Sequence, residues 1–549
     1  MKTRAEVTPE KLRGGFYTPP PLVAACLARV SERLPEGPVD FLEPSAGDGA
    51  FVRALGHPDW HGRIGRVTAI EPFEIEAEKC RRALSDTRLE GEVRAASVIS
   101  WASERPRAFD VSVGNPPFVR YQFVSPGDRA AIGELGRQLG IAFTGVSNLW
   151  IPVLLAALGQ LREGGVFAFV IPTECLTGCS AATVRQWLVD HCAEVSFDLF
   201  APGSFPGVLQ EVAILSGRRD IPVPGRGVRV EIVDHGSQTR RWTHRVTEAG
   251  PWTRYLLDPI HLAALEEAER LPLAQPLGAL ARFAVGIVTG ATSFFTVDDE
   301  TLRRYALGEW ARPLLPRLRH ASGLVYTAPD HELTRAAGAR AWLLDFAEAR
   351  PDPLGAHASR EYLGLGEEMQ LHARYKCRIR DPWYRVPGIV HGELLLSKRS
   401  HAWPRIVVNG AGAFTTDTIY RGRMAVTHRT AADVAATFQN SLTLLTAELE
   451  GRSFGGGVHE LVPSEIARLI TLVPAGAGET LRNLDRISRT GSPADVIQKT
   501  DEYLVAAGSI PADLVPLLRE AREQLASRRI ARNRRVEPVD AASPAARAG

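Results

Sequence analysis

The sequence predicts an α/β chain: a doubly wound, Rossmann-like domain followed by a second, mixed α+β domain. Three observations predict it. From about residue 20 to 220, short β-rich runs alternate with helical patterns, the signature of a parallel sheet with crossover helices. A glycine turn, "EPSAGDGAF", follows the first of those runs, and an acid, Glu71, closes the second. At 549 residues the chain is too long for a single core, so two or three domains are expected.

The elements follow in order. "PPLVAACLARVSERL" reads as a helix with proline in its first turn. "VDFLEPSAGDGAFVRAL" is strand, glycine turn and helix. "RVTAIEPFEIEAEKCRRAL" is strand, acidic end and helix. "FDVSVGNPPF" is a strand stopped by two prolines, which cannot donate to a sheet ladder. "SNLWIPVLLAALGQLREGG" predicts a long apolar helix stopped by Gly-Gly. "VFAFVIPTECL" and "EVAILSG" are buried strands. After about residue 245 the pattern changes. "ARFAVGIVTGATSFFTV" and "PRIVVNGAGAFTTDTIYRG" predict short β runs around turns. Residues 430–475 mix helix and loop, and 476–530 are helical, ending in "IPADLVPLLREAREQLASRRIARNRR". The small, polar stretch 536–549 predicts a disordered tail.

Composition sets bounds. With 45% hydrophobic and 23% charged residues, the chain has the make-up of a soluble globular protein. No apolar run is long enough to span a bilayer. The first fifteen residues lack the apolar core of a signal peptide, so a cytoplasmic protein is expected. The six cysteines show no zinc spacing; they read as reduced and structural, and no metal site is predicted. The net charge of +2 says little about partners. Local charge says more: "LRRYALGEWARPLLPRLRH", "LHARYKCRIRDPWYR" and "LLLSKRSHAWPR" mix cations with aromatics, as a groove for phosphates and bases would.

In a doubly wound sheet, ligands lie across the carboxyl ends of the strands. Gly47 and Gly49 let the backbone approach a ligand there. Glu71 stands about where such folds place an acid for ribose hydroxyls. Up to this point any adenosine cofactor fits. Asn115-Pro116-Pro117-Phe118 ends the fourth strand and projects into the same crevice.

Taken in order, these segments resemble the amino-methyltransferases that use S-adenosyl-L-methionine to methylate adenine N6 in DNA, in their TaqI-like gamma order of motifs. The resemblance covers residues 13–220. "GGFYTPPPLV" resembles the N-terminal methionine-binding motif, which implies cofactor contacts at Tyr17, Thr18 and Pro19. "FLEPSAGDGAF" resembles the glycine motif, implying Glu43, Ser45, Gly47 and Gly49, with Glu71 the ribose acid. "GNPPF" resembles the catalytic motif, implying Asn115, Pro116, Pro117 and Phe118, with Asn115 also among the implied cofactor contacts. Phe118, and Phe205 in "SFPG", are implied to stack on the target base. One departure is Ser97, which stands where the family usually has an Asp for the cofactor's adenine. A hydroxyl still accepts a hydrogen bond, so weakened rather than lost affinity is expected.

The motif suits the chemistry. An exocyclic amine is a poor nucleophile because its lone pair is delocalised. Two fixed acceptors, the Asn115 side-chain oxygen and the Pro116 carbonyl, would localise it. A base inside a duplex must first be flipped out, at a few kcal/mol.

The resemblance divides the chain into a catalytic domain (1–245), a DNA target-recognition domain (246–475), a helical segment (476–535) and the tail. In the recognition domain Arg378, Arg380 and Arg385 are candidates for phosphate or guanine contacts, with Trp383 and Tyr384 to wedge or stack. The expected partners are double-stranded DNA and, genetically, a separate restriction endonuclease of a type II system; the chain is expected to be a monomer. Only a dozen residues precede the first motif, which argues against a built-in nuclease. An RNA or protein-glutamine methyltransferase using the same turn is the alternative, and a non-enzymatic nucleic-acid-binding module the third.

Overall fold

The computed structural model describes residues 17–103, 108–143, 148–200, 212–221, 223, 225–236, 238–346, 357–454 and 456–531. The predicted tail 536–549 and the predicted stacking residue Phe205 lie outside them. The described residues divide between Pro259 and Ile260 into two compact units.

The first unit runs α1 (Pro20–Ser31), β1 (Val39–Glu43), α2 (Ala50–Leu55), β2 (Ile64–Ile70), α3 (Glu74–Thr87), β3 (Gly91–Arg94), α4 (Val98–Ser103), β4 (Phe109–Gly114), α5 (Pro126–Leu139), α6 (Trp150–Gly159), β5 (Leu161–Pro172), α7 (Ala182–His191), β6 (Cys192–Phe200), β7 (Val212–Arg219), β8 (Val228–His235) and β9 (Thr239–Val246). The nine strands form one sheet in the order β3-β2-β1-β4-β5-β7-β6-β8-β9. β1 to β5 pair in parallel; β7 lies antiparallel between β5 and β6. The chain thus winds outward in one direction through β1, β2 and β3, then returns to the other side of β1 as β4.

Both faces of this sheet are buried, and β5 shows why its sequence is continuously apolar. Val166, Ala168 and Val170 point into one core, with Phe41, Phe51 and α1. Phe167, Phe169 and Ile171 point into the other, with all-buried α6. A strand covered on both sides has no polar face to alternate with.

One expectation fails locally. The Gly-Gly pair does not stop the helix. α6 ends at Gly159, and Gly164-Gly165 lie within β5 beside a register irregularity against β4. Gly164 has φ +80°, a conformation glycine adopts freely. Arg162 anchors this end through Asp40 and Asp110.

In the second unit the largest sheet has five strands: β10 (Ala281–Ala284), β11 (Val325–Tyr326), β12 (Leu394–Ser397), β13 (Ile406–Asn409) and β14 (Ile419–Met424), in the order β10-β14-β12-β13-β11. β13 and β14 are the two runs expected in "PRIVVNGAGAFTTDTIYRG", separated in the sheet by β12. The other expected β segment is partly helical: Thr292–Phe295 is a helical turn, because Phe294 and Phe295 are needed in an aromatic core with Tyr362 and Trp383. The helices of this unit include α8 (Tyr375–Arg378), α9 (Ala431–Phe438), α10 (Ser441–Glu450), α11 (Leu481–Thr490), α12 (Pro493–Ala506) and α13 (Leu514–Ala531). No described helix is long and apolar enough to cross a membrane.

Candidate functional site

The reversal of strand order between β1 and β4 leaves a crevice beyond their carboxyl ends, the usual ligand position in open α/β sheets. The turn after β1 is bound to its neighbours. Ala46 N–H donates to the Ile70 carbonyl (2.9 Å). Gly47 N–H donates to the Glu71 carboxylate (2.9 Å), which also accepts from Phe73 N–H (3.0 Å). Gly47 has φ +52°, and a Cβ built on it would meet nothing within 4 Å. Gly49 differs: at φ +83° its missing Cβ makes room for Cys80 and Ala83 of α3, 3.0–3.2 Å away. Gly47 therefore faces open space, while Gly49 serves packing.

Glu43, at the end of β1, is buried. Its carboxyl accepts from the Val52 backbone N–H at the start of α2, and Oε2 has no partner. Burial holds its pKa well above the usual carboxylate range.

β4 delivers Asn115 into the crevice. Gly114 lacks the Cβ that would stand 3.1 Å from the Pro44 ring, so the two strand ends close up. Ser45 Oγ then donates to the Asn115 carbonyl (3.1 Å), and Asn115 Nδ2 donates to Thr18 Oγ1 (3.1 Å). The Asn115 Oδ1 acceptor is shielded from solvent and has no hydrogen-bond partner. Pro116 is buried and Phe118 half-buried, packed against both cores. The backbone beyond is pinned where Leu149 N–H donates to the Val119 carbonyl (2.8 Å).

The other predicted residues take varied places. Thr18 and Pro19 lead directly into α1. Tyr17 is exposed; its hydroxyl donates to Glu76 (3.2 Å) and accepts from Lys79 (3.0 Å) on α3. Ser97 is half-buried just before α4. Sequence reading assigned Thr18 and Ser45 to a cofactor and missed that both hold Asn115, since residues 70 and 97 positions apart carry no pairing signal.

Residues 70–201 match the family described as Eco57I restriction-modification methylase, and residues 249–505 match that of the C-terminal domain of the Type II methyltransferase M.Eco57I. The chain is thus similar, in two separate stretches, to Eco57I-type restriction-modification methyltransferases. It is 19% identical over 452 residues to Type II methyltransferase M.AccI of Acinetobacter calcoaceticus, covering 77% of this chain and 79% of the relative. It is 27% identical over 217 residues to Type II methyltransferase M.TthHB8I of Thermus thermophilus, covering 38% of this chain and 45% of that one. Among solved structures, the type IIG restriction endonuclease BpuSI matches with a TM-score of 0.43 and 14% identity, over 94% of this chain and 66% of its own.

In the second unit the predicted DNA contacts separate into exposed and buried groups. Arg378 is exposed. Arg380 is tied down: its guanidinium donates to the carbonyls of Thr289 (2.7 Å) and Val288 (3.0 Å). Arg385 is half-buried. Trp383 packs on Phe294 and Phe295. Tyr384 is only 7% exposed, edge-on to Phe346. Tyr384 thus belongs to the aromatic core under this segment, and Trp383, half-buried, packs against it.

Proposed function

We propose that the chain is a site-specific DNA methyltransferase that methylates adenine N6 in double-stranded DNA on a flipped-out base, as the modification enzyme of a type II system with a separate endonuclease. One observation carries the reading. The crevice holds an amide whose nitrogen is engaged and whose oxygen is buried and unpaired. Such an orphaned acceptor costs about 1–3 kcal/mol, relieved when a ligand brings an N–H to it. The match to the Eco57I restriction-modification methylase family over residues 70–201 supports the same reading.

The residues fit S-adenosyl-L-methionine. Gly47 leaves open space beside a carboxylate already oriented by two backbone N–H groups. Glu71 keeps acceptor capacity for ribose hydroxyls, since a carboxylate has about four acceptor positions. Tyr17, Thr18, Pro19, Glu43, Ser45, Ser97 and Asn115 are the further candidate holding residues, while Gly49 shapes the turn through its packing on α3. When bound, this cofactor supplies a methyl group on a positively charged sulfur.

The chain's own residues prepare the acceptor. Asn115 Oδ1 and the Pro116 carbonyl take the two N–H bonds of the amine and localise its lone pair. The prolines fix that carbonyl in advance, so little reorganisation accompanies reaction. Phe118 stacks on the extruded adenine, and about 1–3 kcal/mol per stacked base offsets much of the flipping cost.

The test is to incubate the protein with labelled S-adenosyl-L-methionine and, in parallel, unmethylated DNA, bulk RNA and a protein extract. N6-methyladenine in DNA alone is expected. Label only in RNA or in glutamine side chains would replace this reading, and N4-methylcytosine in DNA would correct the base.

A further inference from the structure

The segment 374–379 carries a surface that the catalytic crevice does not explain. Of its six residues only Cys377 is buried. Tyr375 and Ile379, four residues apart, are each 64% exposed. Between and beside them stand Arg374, Lys376 and Arg378, all exposed. The Lys376 and Arg378 cations lie 5.7 and 5.5 Å from the Tyr375 ring centre. Among the described residues, none of these three cations pairs with a carboxylate. Some other arginines of this unit are paired with carboxylates, among them Arg335 with Asp299, Arg489 with Asp330 and Arg529 with Glu448.

The ridge stands on a rigid base. Arg380 bonds two carbonyls of the 288–289 backbone. Gly290, at φ +82°, has its missing Cβ position 2.8 Å from Lys376 Cβ and 3.2 Å from Cys377 Sγ. Tyr384 lies in the core below, with Trp383 packed against it. Three unpaired positive charges interleaved with two exposed apolar side chains, on a fixed support, complement a polyanion that also offers flat apolar faces. Duplex DNA has both.

We propose that Arg374–Ile379 is a DNA-contacting ridge of the second unit: Arg374, Lys376 and Arg378 neutralise backbone phosphates, and Tyr375 and Ile379 press against sugar and base surfaces in a groove. This rests on the DNA methyltransferase reading and supplies its contact surface, moving the aromatic contact from Trp383 and Tyr384 to Tyr375.

The experiment measures affinity of the full chain for a fluorescent duplex across a salt series, with S-adenosyl-L-methionine affinity by calorimetry alongside. The triple variant Arg374→Ala, Lys376→Ala, Arg378→Ala should bind duplex more weakly and lose about 0.9 of log–log salt slope per phosphate contact removed. Replacing both arginines by lysine should keep the slope. Tyr375→Ala should weaken binding about tenfold with little change in slope. Cofactor affinity should hold in every variant. A triple variant with wild-type affinity and slope overturns the ridge, as does tighter wild-type binding to single-stranded RNA than to duplex. A wild-type chain that binds cofactor but no duplex overturns the DNA reading itself, a separate failure.

Discussion

Asn115 has two ends with different tasks. Its Nδ2 is held by Thr18 Oγ1 and its Oδ1 is left unpaired. Removing the side chain should therefore stop chemistry without emptying the crevice. Asn115→Ala is expected to lower methyl transfer about 10²–10³-fold, the range seen when one preorganised hydrogen-bonding group is lost. Cofactor affinity by calorimetry should stay within about a factor of ten; a parallel collapse of cofactor binding would contradict the assigned role. Thr18 makes a subtler case. Thr18→Val keeps the shape but loses the acceptor, so the amide is no longer oriented. Turnover should fall about tenfold, the effect of one hydrogen bond, and Thr18→Ser should restore it. If the loss appears in cofactor affinity instead, Thr18 acts on the cofactor alone. Asn115 was legible in the sequence because Asn-Pro-Pro-Phe is an unusual strand ending. Thr18's grip on it was not, because only the fold brings the two together.

At the scale of elements, the buried Arg529 ties the terminal helix α13 to α10. Arg529 donates to Glu448 of α10 (2.7 and 2.9 Å) and to the carbonyls of His401, Ala402 and Gly457. Both partners of the ion pair are nearly inaccessible to solvent. Replacing one member leaves the other charge buried and alone. Arg529→Met should destabilise the chain by about 3–5 kcal/mol, read as a shift in urea midpoint; a shift below about 1 kcal/mol would mean that the pair behaves as a surface contact. The helix itself was legible from its apolar spacing. The anchor was not, since periodicity does not say which of the neighbouring Arg528 and Arg529 pairs with Glu448. The Gly-Gly pair after α6 shows the same limit: glycine marks a change of direction, but whether it ends a helix or bends a strand depends on the neighbouring β4.

For the whole molecule, buried titratable groups set the response to pH. His459 is buried, bonded through Nε2 to the Ala447 carbonyl (2.9 Å), with Glu448, Glu465 and Arg529 around it. Burial lowers its pKa below 6.5. The unfolded chain then binds a proton that the folded chain resists, so stability falls as pH drops below about 6.5 and the loss levels off below the folded pKa. Glu43 acts in the opposite sense. Its raised pKa favours the folded state at low pH, and that contribution is lost as pH rises through the folded value. His459→Gln should flatten the fall in urea midpoint between about pH 7 and pH 5, and Glu43→Gln should raise stability most on the alkaline side. Midpoint–pH profiles that superimpose on the wild type would refute either assignment.

The sequence by itself determined the local and sequential features: the alternation of strands and helices, the glycine turn and acid at successive strand ends, and the Asn-Pro-Pro-Phe stop. These follow from backbone periodicity and from what glycine and proline allow, which act over a few residues. Tertiary structure alone decided which side chains meet and which face water. It set Thr18 and Ser45 on Asn115, sank Tyr384 into a core with Trp383 packed against it, and left Tyr375 outside. Apolar and cationic residues in one short stretch have the same composition whichever way they point, and packing against distant segments chooses between them.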